Sequence, residues 1–193
     1  MIGIYFYKYL YFPSYYAKNI YFWLLLFGVF QQSPREQIIR YNLCAEPKTL
    51  DPAKANGVPE ATVTLQLFDG LTRYDANQQI QPALAESWQI SDDGLTYTFK
   101  LREAKWSNGE PVKAQDFVYS WLRALAPETA SEYAYQLYYI KGAEEYNSGK
   151  GKKEEVGIKA LDDKTMQVVL RAPAPQFLGL TATRPFTLST GKL

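Results

Sequence analysis

The chain has 193 residues, of which 47% are hydrophobic and 21% charged, and its formal net charge is +1. This is the composition of a globular protein, and so small a net charge creates no field that would attract nucleic acid or an acidic membrane surface. Histidine is absent and cysteine occurs once. These counts exclude Ser-His-Asp and Cys-His nucleophiles, an internal disulfide and a cysteine-cluster metal site.

Residues 1–33 differ in character from the rest of the chain. Their only charges are Lys8 and Lys18, and residues 20–30 are an uninterrupted run of apolar and aromatic residues with one glycine. A positive, acid-free start followed by a short apolar run is typical of a secretory signal, whereas a membrane-spanning helix needs about 20 apolar residues. We therefore predict an export signal. A membrane-anchoring segment and a translation-start artefact remain as alternatives.

The folded part is predicted to begin at residue 34. Residues 37–43 are predicted to form a first strand. Cys44, which follows it, is predicted to be a buried structural thiol. After a loop rich in proline, Pro59 and Glu60 suit the first turn of a helix, and Gly70 is a plausible stop. The spacing predicts one buried face for this helix, made of Ala61, Leu65 and Phe68.

Two β-hairpins are predicted next. The first has its turn at residues 75–78, and the second has an Asp- and Gly-containing turn at residues 91–94. The strand that follows the second turn alternates between apolar and polar residues with a period of two. Its predicted core face consists of Leu95, Tyr97, Phe99 and Leu101.

The segment KWSNGEPVKAQDFVYSWLRAL, residues 105–125, predicts a strand end, a turn and an amphipathic helix. Asp116 falls near the helix start, where an acid is favourable. The buried stripe of this helix is predicted to consist of Phe117, Val118, Trp121, Leu122 and Leu125. A second helical stripe is predicted from Tyr133, Leu137 and Ile140, and residues 165–170 predict a further strand. This mixture favours an α/β or α+β lobe.

Five segments, in chain order, carry a resemblance to a known family: EPKTLDPAKANGVPE, LFDGLTRYD, PALAESWQISDDGLTYTFKLR, KWSNGEPVKAQDFVYSWLRALAP and ALDDKTMQVVLRAPAPQFL. They resemble the extracytoplasmic solute-binding proteins of peptide/nickel-type ABC transporters, and within these the oligopeptide-binding proteins. The resemblance runs from about Ile38 to about Leu180. It implies a portion, N-terminal and incomplete, of a two-lobe periplasmic-binding-protein-like fold. It also implies an exported, monomeric protein that captures peptides and delivers them to permease subunits in the membrane.

The resemblance implies a ligand-binding role for four residues: Asn56, Gly57, Val58 and Tyr133. The loop that contains Asn56 matches the segment that lines the peptide groove, where Val58 would offer backbone groups to the ligand. Relatives often have an acid at the position of Asn56, whereas the neutral amide here supplies no charge for such a contact. Four further residues of the family pattern are interpreted as scaffold: Trp88, Trp106, Asp116 and Trp121.

The two ends of the chain depart from the family pattern. The expected organisation is a signal-like segment at 1–33, a partial solute-binding lobe at 34–183 and a non-family tail at 184–193. Closing a cleft around a ligand needs two walls, and the opposing lobe is missing. The chain is therefore expected to be a truncated relative with impaired binding.

The residues give less support to functions other than peptide binding. Catalysis is disfavoured because the chain has no histidine, no Ser-Lys motif and no glycine-rich phosphate motif, and because the acid pairs at 92–93 and 162–163 lie in turns. No catalytic residue, cofactor, metal site or nucleic-acid partner is predicted. A membrane-tethered interaction module, or a binder of a dipeptide, a murein peptide or nickel, remains as an alternative.

Overall fold

The computed structural model describes Ile38, residues 40–183 and residues 186–188. The chain divides into two units, Met1–Asn42 and Leu43–Leu193. The described residues of the first unit have irregular backbone, so the strand predicted over 37–43 is not formed by any residue that the structure describes there. The predicted export signal at 1–33 lies outside the described residues.

Cys44 corrects a second expectation at this end of the chain. Its side chain is exposed, and its backbone has a positive φ of 63°. Residues other than glycine adopt that conformation rarely, and mostly in turns. The prediction of a buried thiol was wrong because it depended on a strand, and Cys44 instead lies in a bend that leads into the following loop.

The described elements of the second unit are a mixture of helices and short strands. In chain order they are α1 (Val58–Leu67), β1 (Thr72–Tyr74), β2 (Ile80–Pro82), β3 (Ala85–Ile90), β4 (Thr96–Leu101), α2 (Ala114–Leu125), α3 (Ala143–Asn147), β5 (Ile158–Ala160), β6 (Thr165–Val169) and α4 (Phe177–Leu180). Single 3₁₀ turns occur at Pro127–Thr129, Ala134–Leu137 and Lys153–Glu155.

The strands form two antiparallel sheets. One contains β1 and β2, and the other has the order β3-β4-β6-β5. Both predicted hairpins are present. In the first turn the Asp75 carboxylate accepts hydrogen bonds from the backbone N–H groups of Asn77 and Gln79, and in the second Asp93 accepts one from Leu95. Local Asp chemistry therefore fixes both turns.

The core lies between the larger sheet and α2. On β4, Tyr97, Phe99 and Leu101 are buried as the alternation predicts. The buried residues of α2 include the predicted Phe117, Val118, Trp121 and Leu125; Leu122 is half-buried and packs at the margin. Apolar burial contributes about 25 cal/mol per Å², so these side chains hold the lobe together.

Trp121 connects α2 to the last described residues. Its indole N–H donates to the carbonyl of Phe186 at 3.0 Å, and the two rings pack edge to face with centroids 4.9 Å apart. The hydroxyl of Ser120 donates to the carbonyl of Thr187 at 2.9 Å. Residues 186–188 are therefore part of the core, although the boundary drawn at residue 184 stays a prediction.

The buried face predicted for α1 was wrong. The residues it buries are Glu60 and Thr64, while Leu65 is 51% exposed. The Thr64 hydroxyl donates to the carbonyl of Glu60 at 2.7 Å, and the backbone N–H of Lys48 donates to the Glu60 carboxylate at 2.7 Å. The loop before α1 directs the backbone N–H of Lys48 towards the helix. A buried backbone group of this kind needs a hydrogen-bond partner. A polar face therefore turns inward.

The segment after α2 also differs from expectation. Instead of one helix carrying Tyr133, Leu137 and Ile140, the chain forms a single 3₁₀ turn, Ala134–Leu137, followed by α3. Leu137 and Ile140 are buried as predicted, and Tyr133 is half-buried. Apolar spacing alone identified which residues face the core, but it does not distinguish a short 3₁₀ turn from an α-helix.

Gly70, the predicted helix stop, has a different role. The helix ends at Leu67, and a Cβ atom on Gly70 would lie 2.2 Å from the backbone oxygen of Thr181. The Thr72 hydroxyl in β1 and the Thr181 hydroxyl share a hydrogen bond at 2.7 Å beside this contact. Glycine is therefore needed because two backbone segments approach closely.

Asp116 stabilises the start of α2 and leads to a testable prediction. Its Oδ2 atom accepts a hydrogen bond from the Lys113 backbone N–H at 2.9 Å and another from the Trp106 indole N–H at 3.1 Å. We expect Asp116→Ala to lower the free energy of unfolding by about 1–2 kcal/mol, because both donors lose their acceptor. Urea denaturation measures this. The exposed neighbour Gln115→Ala should change stability by less than about 0.5 kcal/mol, and equal effects of the two changes would contradict the assigned role.

Candidate functional site

The loop that precedes α1 is attached to α2 by an ion pair. The guanidinium of Arg123 donates two hydrogen bonds to the carboxylate of Asp51, one of them 2.8 Å from Nη1 to Oδ1. The side chains are only 26% and 23% exposed. These hydrogen bonds hold the pKa of Asp51 below its ordinary value. Because bidentate pairing fixes direction as well as distance, the ion pair orients the loop.

A second attachment lies at the junction of the loop and α1. The carboxylate of Glu60, which is 3% exposed, accepts the Lys48 backbone hydrogen bond described above. A Cβ atom on Gly57 would lie 2.1 Å from Oε2 of Glu60. A side chain at position 57 would therefore displace a buried carboxylate, which explains glycine there in steric terms.

A third attachment brings together two of the predicted ligand-binding residues. The Tyr133 hydroxyl donates to the backbone carbonyl of Asn56 at 3.3 Å, and the side-chain amide of Asn56 donates to Oε1 of Glu132 at 2.8 Å. Asn56 and Tyr133 are 77 positions apart in the sequence. The structure therefore places the two predicted segments side by side.

The surroundings of this contact define a surface that we call the Asn56–Tyr133 patch. It consists of Asn56, Gly57, Val58, Glu132, Tyr133 and Tyr135. Val58 is 79% exposed at the first residue of α1. The Tyr133 and Tyr135 ring centroids are 6.1 Å apart, and Tyr135 is 56% exposed. The patch offers hydrogen-bonding groups and two aromatic rings.

Sequence reasoning did not identify Glu132 and Tyr135. Both lie in the segment TASEYAY, beside the predicted Tyr133. An exposed acid and an exposed tyrosine in a short irregular segment belong to no periodic pattern. The one available signal was their closeness to Tyr133 in the sequence.

A groove of about 780 Å³ lies elsewhere on the lobe. Side chains from α2, α3, β5 and the 3₁₀ turns at Pro127–Thr129 and Lys153–Glu155 line it, among them Tyr119, Leu122, Tyr146 and Lys159. None of the four predicted ligand-binding residues lines this groove. Its charges are mixed, and no chemistry specific to one ligand is concentrated in it.

The acid pairs in the turns have structural partners. Asp162 accepts a hydrogen bond from the Lys164 backbone N–H at 2.7 Å, and Asp163 pairs with the Lys113 ammonium at 2.8 Å. Within residues 40–183 and the other described positions, no group of His, Cys, Asp or Glu side chains could hold a metal ion. None of the described helices has the length and apolar character needed to cross a membrane.

Comparison with known proteins identifies the class to which this lobe belongs. Residues 79–191 match the model of the bacterial extracellular solute-binding proteins, family 5. The chain belongs to this family, as the sequence resemblance predicted. The family is one of solute-binding proteins rather than enzymes.

Two curated relatives show how far the similarity extends. The chain is 47% identical over 153 residues to the oligopeptide-binding protein OppA of Bacillus subtilis. The aligned region covers 79% of this chain and 28% of that protein. It is 41% identical over 155 residues to the periplasmic murein peptide-binding protein MppA of Escherichia coli, again covering 79% and 28%. The chain thus spans about 28% of the length of these relatives.

A solved structure confirms the fold. The crystal structure of Haemophilus influenzae OppA in complex with the peptide RPPGFSPFR matches this chain with a TM-score of 0.75 and 42% identity, covering 78% of this chain and 30% of that one. The predicted mixed α/β fold is therefore confirmed, and the described lobe is a part of the periplasmic-binding-protein-like fold.

Proposed function

We propose that this chain binds peptides as part of the solute-binding component of an ABC-type peptide importer, through the Asn56–Tyr133 patch. The observation that carries the proposal is the Tyr133 hydrogen bond to Asn56, because it assembles one surface from the two segments that resemble ligand-contacting segments of the family. The names of the relatives, which are oligopeptide- and murein peptide-binding proteins, support the peptide as ligand class.

The patch suits an extended backbone rather than one particular side chain. Val58 lies at the N-terminus of α1, where the first backbone N–H groups have no partner within the helix. A peptide that pairs with such main-chain groups is held independently of its sequence, as an added strand would be. Water can then adapt to different peptide side chains.

The location and partners of the chain follow from the same proposal. We propose that it acts outside the cytoplasm as a monomer, receives peptide there and passes it to permease subunits in the membrane. Several curated relatives, among them MppA of Escherichia coli, are named as periplasmic proteins, which supports this location. Tethering through residues 1–33 is the alternative arrangement, and fractionation of cells that make the chain would distinguish a released form from a membrane-bound one.

Peptide titration of the ¹⁵N-labelled full chain, followed by NMR, tests the proposed function. We expect the peptide-induced shifts to be concentrated at Asn56, Val58 and Tyr133. Tyr133→Ala should weaken binding by roughly five- to thirtyfold, or about 1–2 kcal/mol, since aromatic side chains dominate contact energies.

Tyr119→Ala provides the matched control. Tyr119 is 45% exposed on α2 and lines the groove rather than the patch, so its removal should leave the affinity unchanged. Peptide-induced shifts centred on Tyr119 and Tyr146 would place the ligand in the groove and refute the proposed site. The absence of any shift at millimolar peptide would refute the function.

A further inference from the structure

We propose that Glu132, which accepts a hydrogen bond from Asn56 and precedes Tyr133 and Tyr135 in the same short segment, forms a cation-binding subsite of the Asn56–Tyr133 patch. This inference rests on the proposed function and deepens it, because it names the class of peptide that the patch prefers. The ligand group is an ammonium or guanidinium, supplied either by a lysine or arginine side chain or by the α-amino group of the peptide.

No cation of the described residues neutralises the carboxylate of Glu132. It is exposed, and its partner at 2.8 Å is the neutral amide of Asn56. Among the described residues, no lysine or arginine forms an ion pair with Glu132. By contrast, Asp51 is compensated by Arg123 and Glu144 by Arg171.

The hydrogen bond from Asn56 also orients the Glu132 carboxylate. A carboxylate only accepts hydrogen bonds, and its two oxygens have about four acceptor positions. The Asn56 amide occupies one position on Oε1 and thereby restricts the rotation of the Glu132 side chain. A cation approaching the exposed carboxylate meets a group that is already ordered, so less side-chain entropy is lost on binding. An aspartate at position 56 would instead place a second negative charge beside the first.

Two tyrosine rings lie in the same short segment as Glu132. Tyr133 and Tyr135 follow Glu132 within three positions, and their ring centroids are 6.1 Å apart at a tilt of 37°. The face of an aromatic ring attracts a cation within about 6 Å of the ring centroid. A carboxylate, one exposed tyrosine ring and one half-buried tyrosine ring in one short segment therefore recognise positive charge by two mechanisms that act together.

The test compares three short peptides that differ only in positive charge. The first has an acetylated N-terminus and a central lysine, the second has norleucine in place of the lysine, and the third has norleucine and a free α-amino group. Their affinities for the full chain are measured by NMR titration. We expect the lysine peptide to bind about fivefold more tightly than its neutral counterpart, which corresponds to about 1 kcal/mol.

Two measurements separate charge recognition from a merely structural role. Glu132→Gln should reduce the ratio of the lysine to the norleucine affinity to about one, whereas Glu128→Gln removes the same charge from another exposed position and should leave the ratio intact. The preference should also fall between ionic strengths of about 0.01 M and about 1 M, as the Debye length shrinks from about 30 Å to about 3 Å.

The outcomes distinguish this inference from the proposed function. Tighter binding of the free-amine peptide, lost in Glu132→Gln, supports the subsite with the α-ammonium as its ligand. Equal binding of charged and neutral peptides, or a preference that survives Glu132→Gln, overturns the inference while peptide binding stands. If none of the three peptides binds, the proposed function is refuted and the subsite with it.

Discussion

Trp121→Ala is expected to lower the free energy of unfolding by about 4 kcal/mol, a large part of what a domain of this size possesses. The side chain is fully buried, and its ring packs edge to face against Phe117 and Phe186 with centroid distances of 6.5 and 4.9 Å. Its removal creates a cavity beside the rings of Phe117 and Phe186. It also leaves the Phe186 carbonyl without its indole donor. Urea denaturation followed by far-ultraviolet circular dichroism measures the loss.

Two control variants separate the causes of this effect. Trp121→Phe retains most of the ring volume but removes the hydrogen-bond donor, so it should cost about 1–2 kcal/mol. Tyr119→Ala, on the exposed side of the same helix, should cost less than about 0.5 kcal/mol. If Trp121→Ala and Tyr119→Ala were equally mild, the packing of α2 described here would be incorrect.

Arg123→Met should cost about 2 kcal/mol at neutral pH. The change retains the apolar stem but removes both hydrogen bonds to Asp51, and leaves a mostly buried carboxylate without its cation. Removing one partner of such a pair is costly because the other charge remains desolvated. The same change should loosen the loop that carries Asn56, which hydrogen exchange at residues 51–57 would detect.

The pH dependence of this variant has a defined sign. The folded pKa of Asp51 lies below its unfolded value of about 3.9, so the stabilisation is present above that pH. It is lost as the pH falls through the folded pKa. The stability difference between the parent chain and Arg123→Met should therefore be largest near neutral pH and shrink below about pH 4. A difference that stays constant into strong acid would contradict the ion pair.

The features that were predictable from sequence depend on local, repeated signals. The hairpin turns were recognisable from Asp and Gly chemistry, the β4 core face from its period of two, and α2 from its apolar stripe. In each case several neighbouring residues support the same interpretation, and the structure agrees. The mixture of predicted helices and strands indicated the α/β or α+β class, and the family resemblance supplied the two-lobe fold and the residues of the candidate site.

The failures occur where tertiary contacts override local preference. The inner face of α1 is polar because the preceding loop supplies the backbone N–H of Lys48 as a donor to Glu60, and no helical pattern records such a loop. β5 has only three residues, Ile158–Ala160, too few to show an alternation. The contact between Asn56 and Glu132 joins positions 76 apart, so the sequence contained both residues without indicating their proximity.

The strand order β3-β4-β6-β5 has a consequence for how the chain is made. β3 and β4 can pair as soon as they emerge from the ribosome, but the other edge of β4 waits for residues 102–164 to be synthesised. At about 5–20 residues per second, this interval lasts roughly 3 to 13 s. Throughout it, a nascent β-strand bearing Tyr97 and Phe99 presents unpaired backbone groups to neighbouring molecules. Misassembly during production would therefore begin at β4, in the unfinished polypeptide, and a holding chaperone would protect that edge.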